Sequence, residues 1–88
     1  MEYIKNGNNL KIINHQHSLS FNLYEQVVNI EDRYYMVGTP LDNFSYYPSG
    51  EDSVIIFRYD QKKDMIIGME DDFKICAEVM NIFQDIYN

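Results

Sequence analysis

The stretch SLSFNLYEQVVNIEDRYYMV, residues 18–37, decides the fold class of this chain. In its first part, apolar side chains alternate with polar ones, which is the period-two pattern of a β-strand with one buried face. The apolar positions of that part are Leu19, Phe21 and Leu23. The alternation changes phase at Tyr24 and resumes through Val28 and Ile30, which predicts a bulge or a bend in the strand.

A polar tip and a second strand follow in the same stretch. Glu31 and Asp32 precede an aromatic and β-branched run, Tyr34 to Val37, which favours β structure. Two strands that are joined by so short a tip are expected to pair antiparallel. The run Gly38-Thr39-Pro40 is predicted to end the second strand, because proline cannot donate a hydrogen bond to a sheet.

Two further hairpins are predicted on either side of this pair. Asn6 and Gly7 both tolerate a positive φ, so they predict a turn between residues 2–5 and residues 9–14. Near the other end, residues 53–60 and residues 65–69 are β-rich runs around a polar turn. The sequence therefore contains an ordered series of hairpins.

A helix is predicted after the last strand. Glu70, Asp71 and Asp72 suit the first N–H groups and the positive end of a helix dipole. Apolar residues then recur at helical spacing in two adjoining stripes, which predicts a helix lying across a sheet. The stripes are Phe73, Cys76, Met80, Phe83 and Tyr87, and Ile75, Val79, Ile82 and Ile86.

The predicted fold class is α+β in one domain that covers residues 1–88. It comprises an antiparallel sheet of about five strands, arranged as a meander of hairpins, and one C-terminal helix. The helix is expected from about Asp72 to Ile86, with its apolar face packed on one face of the sheet.

The charge of the chain disfavours two classes of partner. The chain has 14 acidic and 7 basic residues, so its formal charge is −7. Because an acidic surface repels phosphates, we expect neither direct nucleic-acid binding nor binding to an anionic membrane. The single cysteine, Cys76, cannot form an internal disulfide, and neither a signal peptide nor a membrane-spanning run is visible. A cytoplasmic location is therefore expected.

The segment from Leu41 to Asp52 is predicted to be a loop, yet it contains three aromatic residues, Phe44, Tyr46 and Tyr47. Two interpretations are open. In the first, the rings fold back over an edge of the sheet. In the second, they form a contact surface for a partner, since aromatic residues anchor protein interfaces.

The residues that could carry chemistry do not form a recognisable catalytic or metal-binding pattern. His15 and His17 could face the same way on a strand, but zinc needs further ligands. Cys76 lies on an apolar stripe of the helix, where it is expected to pack among Phe73, Met80 and Phe83 as a small hydrophobic residue. We therefore predict no enzyme activity, no metal and no cofactor.

The order of the motifs resembles a protein family. The matching residues are Phe21-Asn22-Leu23, Tyr34 to Val37, Pro40-Leu41-Asp42, Val54 to Arg58, Glu70-Asp71-Asp72-Phe73, and Val79. In this order they resemble the small acidic bacterial proteins grouped as domain of unknown function 1292, from Asn9 to Tyr87. The resemblance implies an α+β fold and assigns no catalytic residue.

Two functions remain open from the sequence. The first is a non-enzymatic accessory module that binds another protein, for which a basic partner surface would complement the charge. The second is an acidic inhibitor that mimics nucleic acid and blocks a defence nuclease, which would need carboxylates spaced like phosphates on one face. The sequence predicts neither the partner's identity nor the oligomeric state.

Overall fold

The fold is α+β in a computed structural model that describes residues 1–15, 17–41 and 54–87. In these ranges the chain forms six β-strands and one C-terminal helix. Their bounds are β1 (Glu2–Asn6), β2 (Asn9–Asn14), β3 (His17–Ile30), β4 (Arg33–Pro40), β5 (Ile55–Asp60), β6 (Met65–Met69) and α1 (Phe73–Tyr87).

The strands form a single antiparallel meander in the order β1-β2-β3-β4-β5-β6. The expected number of about five strands was too low, because the N-terminal hairpin belongs to the same sheet as the other strands. Its turn is Gly7-Asn8, one residue later than predicted, since Asn6 pairs with Asn9. Gly7 has a φ of 62°, which suits glycine at the first central position of a two-residue hairpin turn.

The sheet curls until its first and last strands are neighbours. Strands β1 and β6 lie side by side, so the sheet is nearly a barrel. The inside of the curl is filled by apolar side chains from five of the strands. This inner core consists of Leu10, Ile12, Phe21, Leu23, Met36, Phe57 and Ile66.

Gly38 allows the inner core to close around Phe57. A Cβ atom at Gly38 would lie 2.8 Å from Cε2 of Phe57, which is closer than packed carbon atoms approach. Phe57 is fully buried, and its ring meets that of Phe21 edge-on at 5.3 Å between centroids. Gly38 is therefore needed for the close approach of the ring to the backbone of β4.

Strand β3 contains the predicted bulge. Leu23 pairs with Gly38 and Val27 pairs with Met36, so four steps along β3 match two steps along β4. The bulge therefore adds two residues to β3. Because two is an even number, Leu23 and Val27 still point to the same face of the sheet. The apolar pattern changes phase because the later part of the strand buries residues such as Val28 against the helix, on the outer face.

Strand β4 extends through Gly38 and Thr39 to Pro40, beyond its predicted end. The ladder with β5 reaches only Gly38, which pairs with Ile55, whereas Pro40 pairs with Phe21 of β3. Proline is tolerated here because it stands at the last position of the strand, past the described ladder with β5.

The helix begins as the acidic residues predict. The Asp72 carboxylate accepts hydrogen bonds from the N–H groups of Lys74 at 2.9 Å and Ile75 at 3.3 Å, which is N-cap geometry. The Glu70 carboxylate accepts hydrogen bonds from the N–H groups of Asp71 and Asp72. Two side chains thus satisfy the amides at the start of α1.

The helix packs on the outer face of the sheet, but with a narrower contact than predicted. The outer core consists of Val28, Tyr35, Val37, Ile56, Val79 and Phe83. Phe73 is 92% exposed, and Ile82 and Ile86 are also exposed. Phe73 was expected beside Cys76 in the core; it lies instead at the first position of the helix, outside the packed contact. The packed helix residues come from both predicted stripes, Val79 from one and Phe83 from the other, while the exposed residues of the stripes lie outside the contact.

The ring of Phe83 is the largest helix side chain in this contact, and removing it should unfold much of the protein. It is only 8% exposed and meets Tyr24 edge-on at 5.0 Å between centroids. We expect Phe83→Ala to lower the free energy of unfolding by about 3–5 kcal/mol. Urea denaturation followed by circular dichroism measures this loss.

Phe73→Ala is the matched control, because it removes the same ring from the same helix at an exposed position. Its effect should stay within about 0.5 kcal/mol. Equal unfolding midpoints for the two variants would contradict the placement of Phe83 in the core.

Candidate functional site

A groove of about 640 Å³ lies at the end of the sheet formed by the β3–β4 turn, β4, β5 and β6. Its lining combines basic, aromatic and acidic side chains with one exposed isoleucine. The lining includes Asp32, Arg33, Tyr35, Arg58, Asp60, Ile67 and Glu70.

Three hydrogen-bond donors lie on the same side of this groove. Tyr35 belongs to the outer core, and Arg58 is its cross-strand partner on β5. Arg33 is two residues before Tyr35 on β4, so its side chain leaves the same face of the sheet. Both arginines of the chain are thus neighbours of one tyrosine, Arg33 along β4 and Arg58 across the ladder on β5.

The position of Arg58 depends on Gly68. The two residues are partners in the β5–β6 ladder, and a Cβ atom at Gly68 would lie 2.8 Å from Nη2 of Arg58. The guanidinium therefore rests over the bare backbone of β6. It donates one long hydrogen bond, 3.4 Å, to the carbonyl of Met69. Most of its five N–H donors remain available.

Two of the three acidic residues that line the groove, Glu70 and Asp60, are already hydrogen-bonded within the chain. The Glu70 carboxylate accepts the two N–H groups before the helix, and the Asp60 carboxylate accepts the N–H of Lys63 at 3.1 Å. In the described ranges, neither Arg33 nor Arg58 has a carboxylate within ion-pair distance. Arg33 and Arg58 therefore retain binding capacity, as do Asp32 and Lys62 of the same lining, which have no ion pair among the described residues.

An apolar strip borders the groove on the outer face of β1 and β6. Ile67 lines the groove and is 58% exposed. Met65 precedes the inward-facing Ile66, and Ile4 lies between Tyr3 and Lys5 of β1, so both leave the outer face. Met65 and Ile4 are also exposed. The strip and the groove meet at Ile67.

A second cluster of titratable groups joins the end of β1 to the β5–β6 turn. The Asp64 carboxylate lies 2.7 Å from Nζ of Lys5 and accepts a hydrogen bond from the Tyr59 hydroxyl. The Lys5 side chain is 8% exposed, and its ammonium group lies 5.7 Å from the centroid of the Tyr59 ring. These three residues form a clasp, the Lys5–Tyr59–Asp64 cluster, where the first and last strands meet.

The pKa values of Tyr59 and Asp64 in the clasp are shifted away from neutral pH. The hydrogen bond to Asp64 raises the pKa of Tyr59 to about 12. The hydrogen bonds from Lys5 and Tyr59 lower the pKa of Asp64 below its ordinary value of 3.8. Both groups therefore keep one protonation state across neutral pH, whereas a general acid or base needs a pKa near the working pH.

The charged and apolar side chains of the groove can make different kinds of contact. Its guanidinium and phenol groups can hold an oxyanion, and its isoleucine can contact an apolar side chain.

Of the residues singled out from the sequence, His15, His17 and Cys76 lie among the described residues. Phe44, Tyr46 and Tyr47 lie outside the described residues, so their role as a contact surface stays a prediction. His15 and His17 are exposed at the turn before β3 and at its first residue. Across the part of the chain that is described, no three His, Cys, Asp or Glu residues are grouped as a metal site would require.

Cys76 is half-buried and hydrogen-bonded. Its thiol donates to the carbonyl oxygen of Glu70 at 3.5 Å. Burial raises the pKa of the thiol, and the negative charges of Glu70, Asp72 and Asp71 act in the same direction. A nucleophilic cysteine needs the opposite shift, so the surroundings of Cys76 favour a packing role.

Sequence reasoning missed the arginine groove because its members are far apart in the chain. Arg33, Arg58 and Gly68 each appear as an ordinary strand residue. The only available signal is that the chain's two arginines fall in two strands that could be neighbours. Their positions relative to each other depend on the register between β4 and β5.

Comparisons with known proteins add no family to these observations. No family model, curated protein or solved structure matches the chain. The resemblance to domain of unknown function 1292 therefore stays a prediction. Among the described residues, the single helix α1 lacks the length and apolar character required to span a bilayer.

The clasp predicts how stability depends on pH. Because folding lowers the pKa of Asp64, its contribution is present above pH 3.8 and is lost as the pH falls through the lowered value. Because folding raises the pKa of Tyr59, its contribution is present below pH 10.0 and is lost as the pH rises to about 12. Asp64→Asn should weaken both dependences, with thermal midpoints across pH as the measurement.

Ultraviolet titration of tyrosine in the same variant isolates the Tyr59 effect. With the Asp64 carboxylate gone, the pKa of Tyr59 should move from about 12 towards 10.0. Asp64 has a φ of 53°, which asparagine tolerates, so the substitution does not strain the turn. Asp85→Asn is the control with the same change of charge on the helix. Identical titrations for both variants would contradict the clasp.

Proposed function

We propose that this protein is a non-enzymatic interaction module that binds another protein through the groove and its apolar strip. The observation that carries the proposal is the junction at Ile67, where exposed apolar side chains adjoin a groove with two guanidinium groups that have no ion pair among the described residues. Apolar contact area and arginine are characteristic of protein interfaces.

The exposed apolar side chains of β1 and β6 support this proposal. Met65 and Ile67 of β6 and Ile4 of β1 are exposed on the outer face of the sheet. Single exposed apolar residues are normal on a surface, whereas a group of them beside a groove is typical of a contact surface.

The net charge of the chain and the groove act at different ranges. A charge of −7 attracts a basic partner surface over distance, which speeds encounter. Within the contact, Arg33 and Arg58 need an acidic group opposite them. We therefore propose a partner that is basic overall and offers a local acidic group to the groove.

The alternative function, an acidic inhibitor that mimics nucleic acid, has less support from the geometry. A mimic needs free carboxylates in a regular row. Asp60, Asp64, Glu70 and Asp72 each hold a hydrogen bond within the chain, and two arginines interrupt the acidic surface at the groove. The alternative rests on the net charge alone.

A quantitative capture experiment tests the interaction surface. The tagged protein and its Ile67→Ser variant are exposed to lysate of the native host, and the captured proteins are compared by mass spectrometry. We expect a protein captured by the wild type to be lost from the variant. Ile86→Ser is the matched control, because Ile86 is also exposed but lies on the helix.

Two results would contradict the proposed function. One is a wild type that captures no protein above background. The other is a captured protein that is retained by Ile67→Ser as well as by Ile86→Ser, with both variants folded. Changing Phe44, Tyr46 and Tyr47 together to serine tests, in the same experiment, the separate prediction that these residues contact the partner.

A further inference from the structure

We infer that the groove binds a carboxylate of the partner between Arg33 and Arg58, on an acidic peptide segment with a neighbouring apolar side chain. The inference deepens the proposed function and rests on it. It specifies the chemistry of the contacting group, which the proposed function leaves open.

Three hydrogen-bond donors of the groove are neighbours on the outer face of the sheet. On the outer face, Arg33 neighbours Tyr35 along β4 and Arg58 neighbours it across the ladder on β5, and Tyr35 is 2% exposed. The Tyr35 hydroxyl has no hydrogen bond to a described residue, yet no buried side-chain oxygen in the described ranges lacks a partner. The hydroxyl therefore reaches the groove, where it is a third donor on the same side.

Charge complementarity selects the ligand. Guanidinium groups bind carboxylates and phosphates through paired N–H donors. The groove is also lined by Asp32, Asp60 and Glu70, so a doubly charged phosphate meets more repulsion there than a singly charged carboxylate. The net charge of −7 acts against a polyanion in the same way. A single carboxylate therefore fits this groove better than a phosphate.

The apolar strip favours a ligand with an apolar side chain next to the carboxylate. Ile67 lines the groove together with Arg58 and is 58% exposed, so a side chain next to the bound carboxylate can cover it. A leucine beside an aspartate would satisfy both parts of the surface. We therefore take the pair of an apolar and an acidic residue as the smallest ligand.

A titration followed by nuclear magnetic resonance tests this with defined probes. The probe is N-acetyl-leucyl-aspartate amide, and its neutral isostere is N-acetyl-leucyl-asparagine amide. Because the chain has two arginines and both line the groove, the arginine Nε–H resonances report on this site alone. We expect saturable shifts of both resonances with the aspartate probe and none with the asparagine probe.

Two variants test the roles of Arg58 and of Gly68. Arg58→Ala should weaken binding about tenfold, the usual effect of losing a charge-assisted hydrogen bond. Gly68→Ala keeps both arginines but should displace the guanidinium, because the added Cβ would lie 2.8 Å from Nη2 of Arg58. Lys11→Ala is the control with the same loss of charge, on β2 and outside the groove lining. It should bind the aspartate probe like the wild type.

The outcomes separate this inference from the proposed function. Equal shifts with the asparagine probe, tighter binding of inorganic phosphate, unchanged binding by Arg58→Ala, or no shifts at all would each overturn the carboxylate inference. If the Ile67-dependent capture succeeds while the titration fails, only the carboxylate inference falls. If the titration succeeds while capture does not depend on Ile67, the proposed function is contradicted. The inference that the ligand is a peptide segment of a partner is then contradicted as well.

Discussion

The ring of Phe57 fills the space that a side chain at Gly38 would occupy, and the arrangement of the last three strands depends on this contact. Phe57 pairs with Met36 on one side and with Met69 on the other, so its burial holds β5 in register with both neighbours. A slip of one residue would turn every side chain of β5 to the other face. The same register sets Arg58 opposite Tyr35.

The helix and the clasp contact different parts of the sheet. The helix covers the outer face over β3, β4 and β5, so these strands are buried on both faces in part of their length. The clasp joins β1 to the β5–β6 turn, where Asp64 holds Lys5 and Tyr59. Hydrophobic contact thus supports the middle of the sheet, and a polar cluster joins its two ends.

The groove is the place where a strongly acidic protein exposes its two arginines. Gly68 leaves room for the guanidinium of Arg58, and the hydrogen bonds of Asp60 and Glu70 keep their carboxylates engaged with the backbone. Neither guanidinium group has a carboxylate within ion-pair distance among the described residues. Together with the exposed isoleucine at its rim, these features are the basis of the proposed contact surface.

The sequence by itself determined the local elements, because their patterns repeat over neighbouring residues. Alternation from Leu19 to Leu23 predicted a strand, and the acids before Phe73 predicted the start of the helix. It also indicated the bulge in β3. These features depend on backbone preference and on the burial of one face, and both are visible within a short window.

Only the tertiary structure decided how the elements combine. The sequence could not show that β1 closes against β6, because β1 buries little surface of its own. Nor could it show that the curved sheet leaves Phe73 exposed while Phe83 is buried. The groove is the clearest case, since Arg33, Arg58 and Gly68 meet through two ladders between strands. Their proximity follows from inter-strand register, which is set by packing at Phe57 and Gly38 and not by the residues of the groove themselves.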